Sequence, residues 1–105
     1  MYKYSVYILE CSDQSFYTGI TNDMVRRLIE HQDGNYPKAY TYKRRPVELR
    51  FHIEFENVLE AIYFEKKLKG WTRGKKLALI NGEYNRLQLL AECRNATHYK
   101  YNPNL

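Results

Sequence analysis

The chain has only two cysteines, Cys11 and Cys93, and neither stands in a spacing that is typical of a metal site. Two thiols do not form a disulfide framework, which favours a reducing compartment. Long apolar runs are also missing. No segment approaches the ~20 residues that a membrane-spanning helix requires, and the N-terminus lacks the apolar core of a signal peptide. These absences predict a cytoplasmic protein that makes no contact with a membrane.

Acidic residues are outnumbered, since 12 Asp and Glu stand against 17 Lys and Arg and leave a net charge of +5. Such a balance favours a polyanionic partner. The length of 105 residues, with 44% hydrophobic and 28% charged residues, is typical of one globular domain. Tyrosine, with 11 residues, is the commonest aromatic residue and suits core packing, base stacking and proton chemistry.

The apolar and turn residues predict the element order β-β-α-β-α-α with an extra short C-terminal helix. Strands are predicted at 2–10, 15–21 and 47–55, helices at 23–33, 57–69, 72–81 and 84–93, and a basic, tyrosine-rich loop at 35–46. The third strand alternates apolar and polar residues, which indicates a sheet with one buried face. We therefore expect an α+β domain over residues 1–94, built on a small antiparallel three-stranded sheet flanked by helices. Residues 95–105 are predicted to be a flexible tail.

The first predicted helix carries an unusual pair of polar residues. Its apolar residues form one stripe at helical spacing: Met24, Val25, Leu28 and Ile29. Arg27 and His31 lie together at the edge of this stripe, whereas Arg26 and Glu30 fall on the solvent side. A long cation at this border can reach across a groove. The alternative is an amphipathic helix with an arginine that extends its charged end to water.

The second predicted helix places a carboxylate on its apolar face. Its inward residues are Val58, Ala61, Ile62 and Leu68, with Glu65 between them and Glu60 pointing outward. A buried carboxylate costs several kcal/mol unless a cation or hydrogen bonds compensate it. Glu65 is therefore either a ligand of a divalent metal ion or the partner of Lys69 in an ion pair at i,i+4.

The hairpin adds two tyrosines, Tyr7 and Tyr17. An odd-numbered loop would put both hydroxyls on one face of the sheet and an even-numbered loop would separate them, so the register stays open. With Arg27, His31 and Glu65 they form a set that suits phosphodiester cleavage. The arginine would neutralise charge on the phosphate and a metal ion would polarise it. A tyrosine could be a base only if these cations lowered its pKa.

Four segments together resemble the GIY-YIG endonuclease superfamily, which includes the nuclease domain of the repair protein UvrC and intron homing endonucleases. They are SVYIL at 5–9, FYTG at 16–19, NDMVRRLIEH at 22–31 and EAIYFEKKLKGWTRGKKLALI at 60–80. The resemblance covers about residues 2–82 and is closest to the small stand-alone bacterial proteins of the UvrC-type, YhbQ-like group. It implies an endonuclease that acts on DNA, branched or damaged DNA included, in repair or recombination, with one Mg²⁺ or Mn²⁺.

The resemblance also implies roles for individual residues. Tyr7 matches the tyrosine of GIY, and Tyr17 and Gly19 match the outer residues of YIG. The catalytic arginine corresponds to Arg27, the His or Tyr one turn later to His31, and the metal-binding glutamate to Glu65. Two motifs depart from the family pattern, because GIY appears as Ser5-Val6-Tyr7 and YIG as Tyr17-Thr18-Gly19. The chemical side chains all remain, and the first departure concerns only the fit of the backbone.

Two basic clusters are predicted to bind nucleic acid, because basic side chains contact phosphates and aromatic rings stack on bases. The first cluster is Lys43, Arg44 and Arg45, with Tyr36, Tyr40 and Tyr42 nearby. The second surrounds Trp71 and contains Lys66, Lys67, Lys69, Arg73, Lys75 and Lys76. The alternative for both is a solvated helix or loop surface, with Trp71 in the core.

The sequence thus leads to a metal-dependent DNA endonuclease as the first hypothesis. A non-catalytic nucleic-acid-binding module that keeps the fold is the second. A third is an interaction partner within a larger repair complex.

Overall fold

The computed structural model describes residues 3–89 and 91. It contains the strands β1 (Tyr4–Glu10), β2 (Phe16–Thr21) and β3 (Glu48–Phe55), the helices α1 (Met24–Asp33), α2 (Val58–Lys69) and α3 (Arg73–Ile80), and a short 3₁₀ turn at Tyr42–Arg44. The predicted α+β order is confirmed. Residues 86–89 are helical as well, so the fourth helix begins two residues later than predicted. Its predicted end at 93 and the tail at 95–105 lie outside the described residues.

The helices begin and end at the residues that the sequence marks. The side chains of Asp23, Asn57 and Thr72 accept hydrogen bonds from the first free backbone N–H groups of α1, α2 and α3. Gly34 ends α1 in the left-handed conformation, with φ of 70°, which only glycine adopts without strain. Local capping therefore sets where each helix starts.

The sheet has the order β2-β1-β3, and both pairs are antiparallel. The central strand β1 is buried on both faces. Val6 and Ile8 pack with residues of α2 and α3, whereas Tyr7 and Leu9 pack with residues of α1. The prediction of a sheet with one buried face is wrong, because helices cover β1 from both sides.

A β-bulge in β3 divides that strand between the two faces. Phe51 pairs with Ile8, but Leu49 pairs with Leu9, so the register shifts between these two positions of β1. Simple alternation would put Leu49 and Phe51 on one face. The bulge instead sends Phe51 to the cluster of Ile8 and Leu49 to the cluster of Leu9.

The predicted apolar stripe of α1 is only half correct. Met24 and Leu28 pack against Tyr7 and its neighbours, but Val25 is 73% exposed and Ile29 53% exposed. His31, at 4% exposure, continues the buried face instead. Two hydrogen bonds in the interior compensate the burial of the imidazole. His31 therefore lies on the buried face of α1, where the predicted stripe had Val25 and Ile29.

The inward face of α2 also differs in part. Ala61, Leu68 and Glu65 are buried as expected, and Phe64 joins them in the core. Val58, at the start of the helix, is exposed. Trp71 packs against the core beside Tyr84, as its core alternative predicted. No helix in the described part of the chain is long and apolar enough to cross a membrane.

Candidate active site

A buried hydrogen-bonded chain joins three parts of the fold. Tyr7, on the central strand, has no exposed surface. Its hydroxyl lies 3.1 Å from Nε2 of His31 on α1, and Nδ1 of the same imidazole lies 2.7 Å from Oγ1 of Thr41 in the loop at 35–46. Thr41 is itself almost fully buried. The loop thus orients a histidine that faces a tyrosine hydroxyl.

The pKa values of this pair are shifted in opposite directions by the same cause. Burial lowers the pKa of His31, and the Arg27 charge lowers it further, so the imidazole is neutral at pH 7. Burial raises the pKa of Tyr7, and Tyr17 adds to this effect, while Arg27 acts against it. The tyrosine is therefore a protonated phenol. A tyrosine that acts alone as a base would need a lowered pKa. The pKa of Tyr7 is raised instead, because the effect of burial is larger than that of the Arg27 guanidinium.

The strand register settles the placement of the two tyrosines. Tyr7 pairs with Gly19, and Leu9 pairs with Tyr17, which puts both tyrosines on one face of the sheet. Their ring centroids are 6.3 Å apart. A Cβ at Gly19 would lie 2.5 Å from Cζ of Tyr7, which is too close for two non-bonded carbon atoms. Glycine at this position is what lets the Tyr7 ring lie across β2.

Arg27 lies at the border of the site and is held by a carboxylate. Its Nε is 3.2 Å from Oε1 of Glu30, and the Tyr36 hydroxyl donates to the same oxygen at 2.8 Å. The prediction that Glu30 lies only toward solvent is wrong, because Glu30 is partly buried between these two groups. It fixes the direction of the guanidinium, which acts electrostatically on Tyr7.

Two tyrosines from the loop, Tyr36 and Tyr40, form an aromatic wall over the site. The Tyr40 ring stacks with Tyr17 at 6.2 Å between centroids, and the Tyr36 ring lies edge-on to His31. Cζ of Arg44 is 3.8 Å from the Tyr40 ring centroid. The sequence pattern placed these tyrosines near a basic cluster but not in the candidate active site. Thr41 was not predicted, since nothing in the spacing of the loop marks one threonine.

Glu65 lies beside the tyrosines and faces inward, with 8% of its surface exposed. Its Oε2 is 2.6 Å from Nζ of Lys69, so the predicted i,i+4 ion pair is present. The charge of Glu65 also acts on Tyr7, and Lys69 interacts with Tyr17. The structure therefore brings the five candidate catalytic residues into one region: Tyr7, Tyr17, Arg27, His31 and Glu65.

The donor set suits only a metal ion that accepts few protein ligands. Among the described residues, no group of three or more His, Cys, Asp and Glu side chains could hold a metal ion. Mg²⁺ commonly takes one or two carboxylates and completes its shell with water and phosphate oxygens. Glu65 fits this pattern, because its carboxylate is buried next to the tyrosines and only Oε2 contacts Lys69.

Several residues of the predicted nucleic-acid surface have partners within the protein. Arg44 pairs with Asp13 at 3.0 Å, and Arg45 donates to the backbone oxygens of Tyr42 and Gln32. Arg73 donates to the backbone of Gln14 at 2.5 Å. These arginines tie the loop and the hairpin to the fold. Among the lysines predicted to bind nucleic acid, Lys43, Lys66, Lys69 and Lys75 are exposed, whereas Lys67 and Lys76 are half-buried.

The family model of the GIY-YIG catalytic domain matches residues 3–78. The chain therefore belongs to the GIY-YIG family, which is a family of nucleases. Within it, the chain is similar to proteins named UPF0213. It is 49% identical over 70 residues to one from Bacillus pumilus, covering 67% of this chain and 70% of that protein. It is 43% identical over 88 residues to one from Syntrophus aciditrophicus, covering 83% and 100%.

A solved structure agrees with this assignment. The solution NMR structure of a protein from E. faecalis is 35% identical to this chain and superimposes with a TM-score of 0.55. The match covers 82% of this chain and 97% of that one. Both the resemblance and the fold class inferred from the sequence are confirmed.

The buried imidazole gives a pH dependence of stability. Burial lowers the pKa of His31 below its ordinary value near 6.5. Below that pH the unfolded chain takes up a proton that the folded protein does not, so folding loses stability as the pH falls. As the pH falls below 6.5 we expect a loss of at most about 1.4 kcal/mol per pH unit from this group. Urea unfolding should show a weaker pH dependence in His31→Gln, and equal slopes would contradict the assignment.

Proposed function

We propose that this protein is a metal-dependent endonuclease that hydrolyses phosphodiester bonds in DNA. The observation that supports it is the hydrogen bond between the Tyr7 hydroxyl and a neutral His31, next to Arg27 and Glu65. A proton acceptor, a fixed cation and a carboxylate are the groups that phosphodiester hydrolysis requires. We place this activity in the cytoplasm, in DNA repair or recombination, and a larger repair complex could deliver the substrate.

Proton transfer follows from the contacts of Tyr7. Attack of water on phosphorus releases a proton. The Tyr7 hydroxyl can accept it while giving its own proton to Nε2 of His31, 3.1 Å away. Thr41 holds the other ring nitrogen and so keeps the imidazole in place. This transfer needs no free tyrosinate, which agrees with the raised pKa of Tyr7.

Charge on the phosphate is the second requirement. The Arg27 guanidinium is fixed by Glu30, so it can stabilise the negative charge that grows on the phosphate oxygens without reorganising. Glu65 would hold Mg²⁺ or Mn²⁺, and the bound ion would polarise a phosphate oxygen. Before a metal binds, Lys69 orients the carboxylate through their ion pair.

A substrate must displace part of the site before it can reach the Tyr7 hydroxyl. Tyr7 has no exposed surface, whereas Tyr36 and Tyr40 of the aromatic wall are about two-fifths exposed, at 41% and 42%. Exposed side-chain contacts hold both tyrosines: Tyr36 with Glu30, and Tyr40 with Arg44. Displacement of this wall would open the way to the Tyr7 hydroxyl.

A non-catalytic binding module is the second candidate. It is favoured by the short contact between Glu65 and Lys69, which already satisfies the carboxylate. In that case the basic residues would bind DNA and the tyrosines would serve the fold.

Cleavage of DNA tests the first candidate directly. The protein should cut nicked, branched or linear DNA with Mg²⁺ or Mn²⁺ and be inactive in EDTA. Tyr7→Phe keeps the buried ring and removes the hydroxyl, so its rate should fall by about 10²–10⁴-fold, the usual contribution of a proton-transfer group. A protein that binds these DNAs but cuts none of them would be the binding module. Equal rates for both proteins would remove Tyr7 from the chemistry.

A further inference from the structure

A cavity of about 260 Å³ opens beside the active site at the outer edge of β2. Tyr17 and Tyr40 separate it from the buried tyrosine and histidine, and so the two sites share a wall. Six residues line the cavity: Phe16, Tyr17, Thr18, Tyr40, Lys69 and Lys76. None of the contacts described for proton transfer uses Thr18 or Lys76.

Thr18 carries a buried hydroxyl that the fold does not satisfy. The residue is 3% exposed, and within the part of the chain that is described its Oγ1 has no hydrogen-bond partner. Leaving a hydroxyl in this state costs stability, and valine would fill the same space without that cost. A threonine here is therefore better explained by an acceptor that is bound during function.

Lys76 brings a positive charge to the same cavity. It lies half-buried on α3, and burial lowers its pKa. Across residues 3–89 and 91, no carboxylate lies within ion-pair distance of its ammonium group. Lys69, on the other side, is already held by Glu65. A half-buried cation without a partner favours the entry of an anion.

We propose that this cavity is a subsite for a backbone phosphate of single-stranded nucleic acid, next to the bond that is cut. Lys76 supplies charge, and the Thr18 hydroxyl donates a hydrogen bond to a phosphate oxygen. The volume is below the ~300–1,000 Å³ of pockets for whole small molecules, so it suits one phosphate with its sugar. The subsite rests on the proposed function for its place in cleavage, but its binding is measurable alone.

The test measures binding of a short single-stranded DNA oligonucleotide in EDTA, across a range of salt concentrations. Thr18→Val should weaken binding about tenfold, the value of one hydrogen bond to a charged group, with an unchanged salt slope. Lys76→Met should reduce the slope of log K against log salt by about 0.7, the share of one phosphate on a single strand. Lys3→Met, at an exposed residue just before β1 that lines a different cavity, is the control for net charge and should keep the wild-type slope.

Thermal melting distinguishes a Thr18 hydroxyl that binds a ligand from one that stabilises the fold. Thr18→Val should melt at a higher temperature than the wild type although it binds more weakly, and Thr18→Ser should retain the affinity. The subsite is wrong if Thr18→Val binds like the wild type, or if Lys76→Met and Lys3→Met change the slope equally. The binding assay contains EDTA, so its result does not depend on cleavage. If the variants bind as expected but the protein cuts no DNA, only the proposed function is wrong. Cleavage without this pattern would overturn only the subsite.

Discussion

Arg27→Ala is expected to lower kcat for DNA cleavage by about 10³–10⁵-fold, the range for an arginine that stabilises phosphoryl transfer. The guanidinium is held by Glu30 and acts on Tyr7, so its charge lies where the phosphate would be attacked. An interaction made mainly in the transition state lowers kcat and changes KM little. Single-turnover cleavage at saturating protein, with DNA affinity measured separately, tests this.

The neighbouring residue provides a matched control. Arg26 lies on the same helix and also approaches Glu30, at 4.0 Å, but its side chain is mostly exposed. Arg26→Ala removes the same charge and should cleave at the wild-type rate. If Arg27→Ala cleaves normally once saturated with DNA, Arg27 is only a binding residue.

Glu65→Gln is expected to abolish both Mn²⁺ binding and cleavage while the protein stays folded. The substitution keeps the volume of a side chain in the core but removes the charge that a hard cation requires. It also breaks the ion pair with Lys69. That loss should change the free energy of unfolding by only about 1 kcal/mol or less, because the lysine end of the pair is exposed.

Lys69→Met distinguishes the two roles of this carboxylate. It breaks the same ion pair but leaves Glu65 intact, so it should still bind Mn²⁺. Glu60→Gln removes one charge from the same helix and should also keep the wild-type metal affinity. Mn²⁺ titration by electron paramagnetic resonance, with thermal melting in parallel, compares the three variants. Wild-type metal affinity in Glu65→Gln would favour the binding module.

Most of the architecture was predictable because it depends on local signals. Capping residues such as Asp23 and Thr72 mark helix starts. Aromatic and β-branched residues mark the first two strands, and alternating apolar residues mark the third. The faces were harder to predict. Val25 and Ile29 are apolar but exposed, because His31 gains partners in the interior that only the folded chain provides. The bulge in β3 likewise depends on pairing with β1.

The site was predictable where its residues lie on regular elements at short spacing, as Arg27 and His31 do. The loop at 35–46 was not, because its conformation depends on contacts with distant residues. Thr41 reaches the imidazole across the fold, and Arg44 reaches Asp13 in the hairpin. Thr18 gave no signal either, since a threonine in a strand is ordinary until its hydroxyl is found without a partner.

The two sides of the active site are held with very different strength. Tyr7 belongs to the central strand, which is hydrogen-bonded on both edges and buried on both faces, so we expect its backbone amide to exchange only through global unfolding. The Tyr36 and Tyr40 side chains opposite make exposed contacts with Glu30 and Arg44. Local fluctuations can break these contacts at little cost while Thr41 of the same loop stays buried against His31. The candidate active site can therefore open on this side without disturbing the geometry between Tyr7 and His31, as the proposed cleavage of DNA requires.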